Sequence, residues 1–212
     1  MKLADMTVSD FTKTLASDAP APGGGSAAAL AGAVGAGLTA MVGCLTQGRK
    51  KYADFAPFAA EIEEKEQQLR TALLDVMDRD TEAFRLVSDA FALPKETEEQ
   101  KAARSAAIQN GLKACTQTPL ECMRLSVEAL KLTQSFLKAG FNQSSASDLG
   151  VAFLSLKSAV QGAWLNVLIN IGSIKDPEFA SACRKEGEEL LALSLPLADS
   201  GYQEILNIIE AN

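Results

Sequence analysis

Residues 19–48 read APAPGGGSAAALAGAVGAGLTAMVGCLTQG, thirty residues without a charge. How this stretch is read decides the fold. It is long enough to cross a bilayer, and it repeats small residues at Ala28, Gly32, Ala36 and Ala40, a spacing that lets helices approach closely in lipid. Against a span, it opens on Pro20, Pro22 and three glycines, and its helical part is Ala and Gly rather than Leu and Ile. Asp5, Asp10 and Asp18 precede it where a signal peptide carries Lys or Arg. The stretch therefore reads as a central helix of a globular protein, Ser26 to Gly48, and no membrane partner is expected.

Outward from this helix the apolar pattern stays at helical spacing, with no alternating β-branched run bounded by turns. The spacing predicts an all-α bundle of about six to eight helices in one domain, 1–212. A first helix begins after Thr7, an N-cap with Asp10 three residues on, and ends near Asp18. A third spans about Pro57 to Ala92 and stops before Pro94. A fourth, capped near Thr97, is expected to end before Pro119, which then opens a fifth that closes at Gly140. After the polar loop Phe141–Ser147, a sixth runs from Asp148 to about Ser173 with Lys157 as its one charge past the first turn, so it too is buried on most sides. The last begins at Pro177 and is bent or interrupted at Pro196. The two nearly uncharged helices, the second and the sixth, need covering by other helices or by a second subunit.

The 212 residues include no histidine. This removes Ser-His-Asp and Cys-His nucleophile pairs and histidine-bearing metal sites, and leaves proton transfer to a carboxyl, amine, thiol or phenol of shifted pKa. No metal or cofactor is expected. A net charge of −7 and a single basic run, Arg49-Lys50-Lys51, argue against nucleic acid as a partner. Cys44, Cys115, Cys122 and Cys183 form no CxxC pair and read as reduced structural thiols of a cytoplasmic protein.

Three features place polar groups where a core is expected. On the third helix Phe58, Ile62, Leu69, Leu73, Val76, Ala83, Phe84, Val87 and Phe91 form one stripe. Asp80 falls inside it, about 20° from Leu69 at 100° per residue, the only charge on the stripe between Leu69 and Phe91. Burial raises a carboxyl's pKa toward a range where it both gives and takes a proton, so Asp80 is either the acid/base group or a buried polar contact. On the sixth helix Asp148, Ala152, Ser155, Ala159, Gly162, Asn166, Asn170 and Ser173 lie within about 40° of one another. Such a stripe lines a groove, or else packs tightly with Asp148 as an N-cap. Gly23, Gly24, Gly25 and Ser26 lead into the second helix, where backbone amides suit an anionic group. Arg49, Lys50 and Lys51 close it, as an anion site or a solvated helix end.

Read together, Ala-Pro-Gly-Gly-Gly-Ser (21–26), Gly-Arg-Lys-Lys-Tyr (48–52), Asp-Arg-Asp-Thr-Glu-Ala-Phe (78–84), Leu-Pro-Lys (93–95), Ser-Asp-Leu-Gly-Val-Ala (147–152) and Asn-Val-Leu-Ile-Asn (166–170) resemble the cyclodeaminase/cyclohydrolase family. That family comprises the C-terminal domain of formimidoyltransferase-cyclodeaminase and free-standing proteins. The resemblance covers nearly the whole chain. It implies an all-helical homodimer that takes a reduced folate, with or without a polyglutamate tail, in a groove near the dimer interface. It implies one of two reactions: hydrolysis of 5,10-methenyltetrahydrofolate to 10-formyltetrahydrofolate, or closure of 5-formimidoyltetrahydrofolate with loss of ammonia. The family's acid/base aspartate maps onto Asp80. Gly24, Gly25, Ser26, Arg49, Lys50, Lys51, Asp148, Asn166 and Asn170 are carried over as groove residues only. Nothing in these residues corresponds to the transferase domain of the bifunctional enzymes, which tilts the expectation toward the cyclohydrolase. A helical protein that binds folate without turning it over is the non-enzymatic alternative.

Overall fold

A computed structural model describes residues 2–211. Six α-helices carry the chain: α1 (Val8–Leu15), α2 (Gly24–Gln47), α3 (Ala56–Ala92), α4 (Glu98–Ala139), α5 (Ala146–Ile171) and α6 (Pro177–Glu210), with short 3-10 turns between some of them and no strand among the described residues. Side-chain caps set three of the six starts. The Thr7 side chain accepts from the Asp10 amide to open α1, and Asp176 accepts from Phe179 to open α6. Thr97 and Gln100 form a reciprocal capping box on α4. At the far end of α4, Gly140 takes φ 117, and a side chain there would strike the ring of Phe55.

The helices pack as one bundle around α2, which lies against α3, α4 and α5, while α5 is also covered by α4 and α6. Close approach explains the Ala and Gly of α2. A methyl added at Gly35 would meet Leu156 and the Ala152 carbonyl of α5, and one at Gly43 would lie 2.9 Å from the Ala59 carbonyl of α3. Leu73, Leu120, Leu130, Leu149, Phe136, Phe153 and Leu156 fill the interior with no exposed surface.

Two expectations from proline are corrected. Pro119 does not divide a fourth helix from a fifth, and of the bend or interruption expected at Pro196 the interruption is absent: α4 and α6 run through both. Thr116, Leu120, Met123, Val127 and Leu130 are buried on both sides of Pro119, so packing holds a helix that the missing amide alone would weaken. The second helix also starts at Gly24, two residues earlier than Ser26, because Gly24 and Gly25 already form its first turn. Both α2 and the segment 143–171 are long and apolar enough to cross a membrane, with 56% and 39% of their most apolar windows buried inside the chain. Exposed on them are Val34, Met41 and Leu45 of α2, and Val151, Leu154, Leu165 and Ile169 of α5.

Candidate active site

Four helices meet at a cleft of about 290 Å³ lined by Pro20, Ala21, Gly23, Gly24 and Gly25 before and at the start of α2, Asp80 and Phe84 of α3, Cys115 of α4, and Asn166, Ile169 and Asn170 of α5. Asp80 sits at the open end of α2. Its Oδ2 accepts from the Ser26 hydroxyl at 2.8 Å, and the Ser26 backbone also bonds the carboxyl. Gly25 has no alternative: a methyl there would fall on the Asp80 carboxyl. Burial drives the Asp80 pKa above the usual carboxylate value, and the Ser26 hydroxyl and amide only partly offset it. The result is a carboxyl that faces a cleft and holds a proton more readily than one in water.

This geometry refines the reading of the glycine turn. The positive end of α2 is already faced by an anion, and that anion is the chain's own Asp80 rather than a ligand carboxylate. Asp78, two residues earlier, points elsewhere and accepts from the Leu3 amide at 2.6 Å, which ties down the N-terminal segment. Arg79 makes a two-pronged bond to Glu121 at 2.8 and 2.9 Å and a third to Asp75, locking α3 to α4 beside the cleft.

The asparagines are held by their amide nitrogens. Asn166 Nδ2 donates to the Gly162 carbonyl at 2.9 Å, and its side chain covers Gly24. Asn170 Nδ2 donates across to the Cys115 carbonyl of α4 at 2.7 Å. Cys115 was expected to be structural, yet it lines the cleft; burial and the nearby Asp80 charge push its thiol up to about 11.

Gly24, Gly25, Ser26, Asp80, Asn166 and Asn170 are therefore brought together, and Asp148, Arg49, Lys50 and Lys51 are not. Asp148 lies in the first turn of α5 and the asparagines in its last turns. The basic run follows the C-terminus of α2, about 36 Å along a 24-residue helix from Gly24. The polar stripe of α5 does not form one groove, because Ala152 and Ala159 are fully buried and Gly162 packs on Ala28 of α2. Asp148 is not the N-cap either; that position is Ser145. Near the basic run lies a separate cleft of about 480 Å³, lined by Lys51, Tyr52, Asn142, Gln143, Ser144 and Ser147 among others.

Sequence reasoning places Phe84 in the core stripe, but it is 42% exposed at the cleft, as Phe91 is exposed beyond it. A stripe that ends in aromatics beside a lone carboxylate is the signal that separates a cleft wall from a core.

Comparison with known proteins places the whole chain. Residues 7–189 match the family model described as formiminotransferase-cyclodeaminase. The chain is 42% identical over 199 residues to a methenyltetrahydrofolate cyclohydrolase of Methylorubrum extorquens, covering 94% of this chain and 95% of that one. It is 36% identical over 207 residues to formimidoyltransferase-cyclodeaminase of Dictyostelium discoideum, covering 98% of this chain and 37% of that protein. The chain thus spans about a third of the length of its bifunctional relatives, including the 33% identical protein of Rattus norvegicus, of which it covers 35%. The solved structure of formiminotetrahydrofolate cyclodeaminase from Thermotoga maritima superposes with a TM-score of 0.82 at 28% identity, covering 98% of this chain and 97% of that one.

Proposed function

The chain belongs to the formiminotransferase-cyclodeaminase family, and on that premise we propose that it is a methenyltetrahydrofolate cyclohydrolase with Asp80 as its general acid/base. The observation that carries the proposal is the Asp80 carboxyl, bound to Ser26 and raised in pKa by burial, at the mouth of a cleft made by four helices. The likeness to a cyclohydrolase over nearly the full length of both chains favours this reaction over its relative.

In the proposed reaction water adds to the methenyl carbon, a cationic centre between two ring nitrogens. Asp80 takes a proton from that water as the C–O bond forms, giving a neutral tetrahedral carbon. The same proton then passes to N5 as the C–N5 bond breaks, the hydroxyl proton leaves to solvent, and the formyl group stays on N10. One carboxyl whose pKa burial raises carries both transfers, and the scheme draws on no metal or cofactor. Ring closure of formimidoyltetrahydrofolate is the second reading, supported by the named activities of the relatives at 36% and 33% identity and by the same group's capacity to protonate a departing ammonia.

Purified protein should bleach the near-ultraviolet absorbance of methenyltetrahydrofolate faster than buffer, and Asp80→Asn should slow this by about 10² to 10⁴-fold, the range for loss of an acid/base group. An unchanged rate removes Asp80 from the mechanism. Offering formimidoyltetrahydrofolate in parallel and measuring ammonia separates the two reactions, and turnover of neither leaves a folate-binding protein.

The assembly belongs to the same proposal: a homodimer that covers the exposed apolar residues of α2 and α5. If the two copies run antiparallel along α2, the Arg49–Lys51 end of one chain meets the Gly24 end of the other, where it would hold the glutamate tail of the folate.

A further inference from the structure

Pro119 lies in the middle of α4 with its ring buried, and it has no amide hydrogen to offer the carbonyl one turn back. That carbonyl belongs to Cys115. It accepts instead from Asn170 Nδ2, which reaches over from α5 at 2.7 Å. Cys115 and Asn170 both line the Asp80 cleft. A carbonyl only accepts, so the nitrogen of the Asn170 carboxamide must face α4 and its Oδ1 is the end left over. Asn166, one turn earlier, has its nitrogen committed in the same way to the Gly162 carbonyl. With both amide nitrogens committed, the amide oxygens are the remaining polar ends of two residues that line the cleft beside the Asp80 carboxyl, on which Ser26 is already spent.

We propose that Pro119 is a positioning residue for the folate site: by withholding its amide it reserves the Cys115 carbonyl for Asn170, and so sets Asn170 Oδ1 as a fixed acceptor for an N–H donor or cationic edge of the bound ring. The inference rests on the reading of the Asp80 cleft as the folate site. It explains why a proline that packing must hold inside a long helix stands one turn from this cleft. An alanine at 119 would return a competing donor to the Cys115 carbonyl and so loosen its hold on the Asn170 carboxamide.

The test is a double-mutant cycle on methenyltetrahydrofolate hydrolysis. Pro119→Ala should fold, because alanine suits a helix interior far better than proline and this offsets the small void left by the ring. Its kcat/KM should fall roughly tenfold, the scale of one lost hydrogen bond, with the change in KM rather than kcat. Asn170→Ala should lose a similar factor, and Pro119→Ala/Asn170→Ala should be no worse than Asn170→Ala alone. Normal kcat/KM in Pro119→Ala, or losses that multiply, overturns the proposal. Hydrogen exchange gives a readout apart from turnover: the Asn170 side-chain amide should be protected in the natural protein, and in Pro119→Ala that protection should pass to the new Ala backbone amide. Unchanged Asn170 protection also overturns it. If Asp80→Asn and Asn170→Ala both hydrolyse the folate normally, the reading of the cleft fails instead, whatever the exchange shows about Pro119.

Discussion

Asp80 and Glu66 stand on the same helix, and burial raises the pKa of both, but only one has a way out. Glu66 has no exposed surface; its Oε1 takes the Thr133 hydroxyl at 3.4 Å, its Oε2 has no hydrogen-bond partner, and burial pushes its pKa up to about 9. Asp80 opens on a cleft and is answered by Ser26. The same physical cause thus yields a carboxyl locked in the core and one that can exchange protons with a ligand. The consequence for stability has a definite sign. A carboxyl with a folded pKa near 9 against an ordinary value of 4.5 keeps its proton in the fold while the unfolded chain loses it. Its contribution is full below pH 4.5 and drains away as pH rises toward 9. Thermal unfolding followed from pH 5 to pH 9 should therefore show a fall in Tm that is visibly smaller in Glu66→Gln; equal slopes would mean that Glu66 is ionised in the fold. Glu66, one turn after Ile62 and seven residues before Leu73, carries the same sequence signal as Asp80, and it is missed because charges on the stripe from Phe58 are compared only between Leu69 and Phe91.

At the scale of elements, the uncharged run that opens the chain's reading becomes α2 because small residues allow contact on several sides at once. Its glycines are not equivalent. At Gly35 a methyl would already press on Leu156, so Gly35→Leu should overpack the α2–α5 contact and lower stability by about 1–3 kcal/mol or more. At Gly37 a methyl would find only Arg70 Cδ at 3.5 Å, an ordinary contact, so Gly37→Ala should raise stability by about 0.5–1 kcal/mol through helix propensity. Urea denaturation midpoints of the pair should move in opposite directions, and a shared direction would contradict the packing described. Elements of this kind were legible: the Thr7 and Thr97 caps and the ends of α3 follow from local pattern, whereas α5, expected to be buried on most sides, leaves Val151, Leu154, Leu165 and Ile169 exposed. Pro119 was not legible, because a proline signals a helix start whenever only its own turn is read, whereas burial on both sides of it is a property of the neighbouring helices. The stripe on α5 misleads for a related reason: angle on a wheel says which residues share a face, and nothing about which part of that face another helix covers.

For the whole molecule, the candidate residues divide between two ends of one bundle. Asp80, Ser26, Asn166 and Asn170 occupy one end, and Arg49, Lys50, Lys51 and Asp148 the other. Sequence order conceals this, since motifs that follow one another along a chain of long helices fall at alternate ends. Apolar residues stay exposed along α2 and α5, Leu165 at 66%, while Ile169, 74% exposed, lines the Asp80 cleft itself. In the antiparallel dimer proposed above, each site takes Asp80 from one copy and the basic run from the other. Asp80→Asn and Lys50→Glu/Lys51→Glu should each be impaired alone, while co-expression should restore about a quarter of the natural activity, because half of the dimers are mixed and each mixed dimer holds one intact site. No restoration, or a monomer by light scattering, would reject this arrangement.

The thiol in the cleft wall carries a consequence of its own. A methenyl carbon is an electrophile, and a thiolate beside it would compete with water for the same carbon. With its pKa pushed up to about 11, Cys115 stays a thiol at neutral pH. Burial in the cleft wall, with the Asp80 charge as the lesser cause, thereby keeps this sulfur inert toward the electrophilic carbon of the proposed substrate.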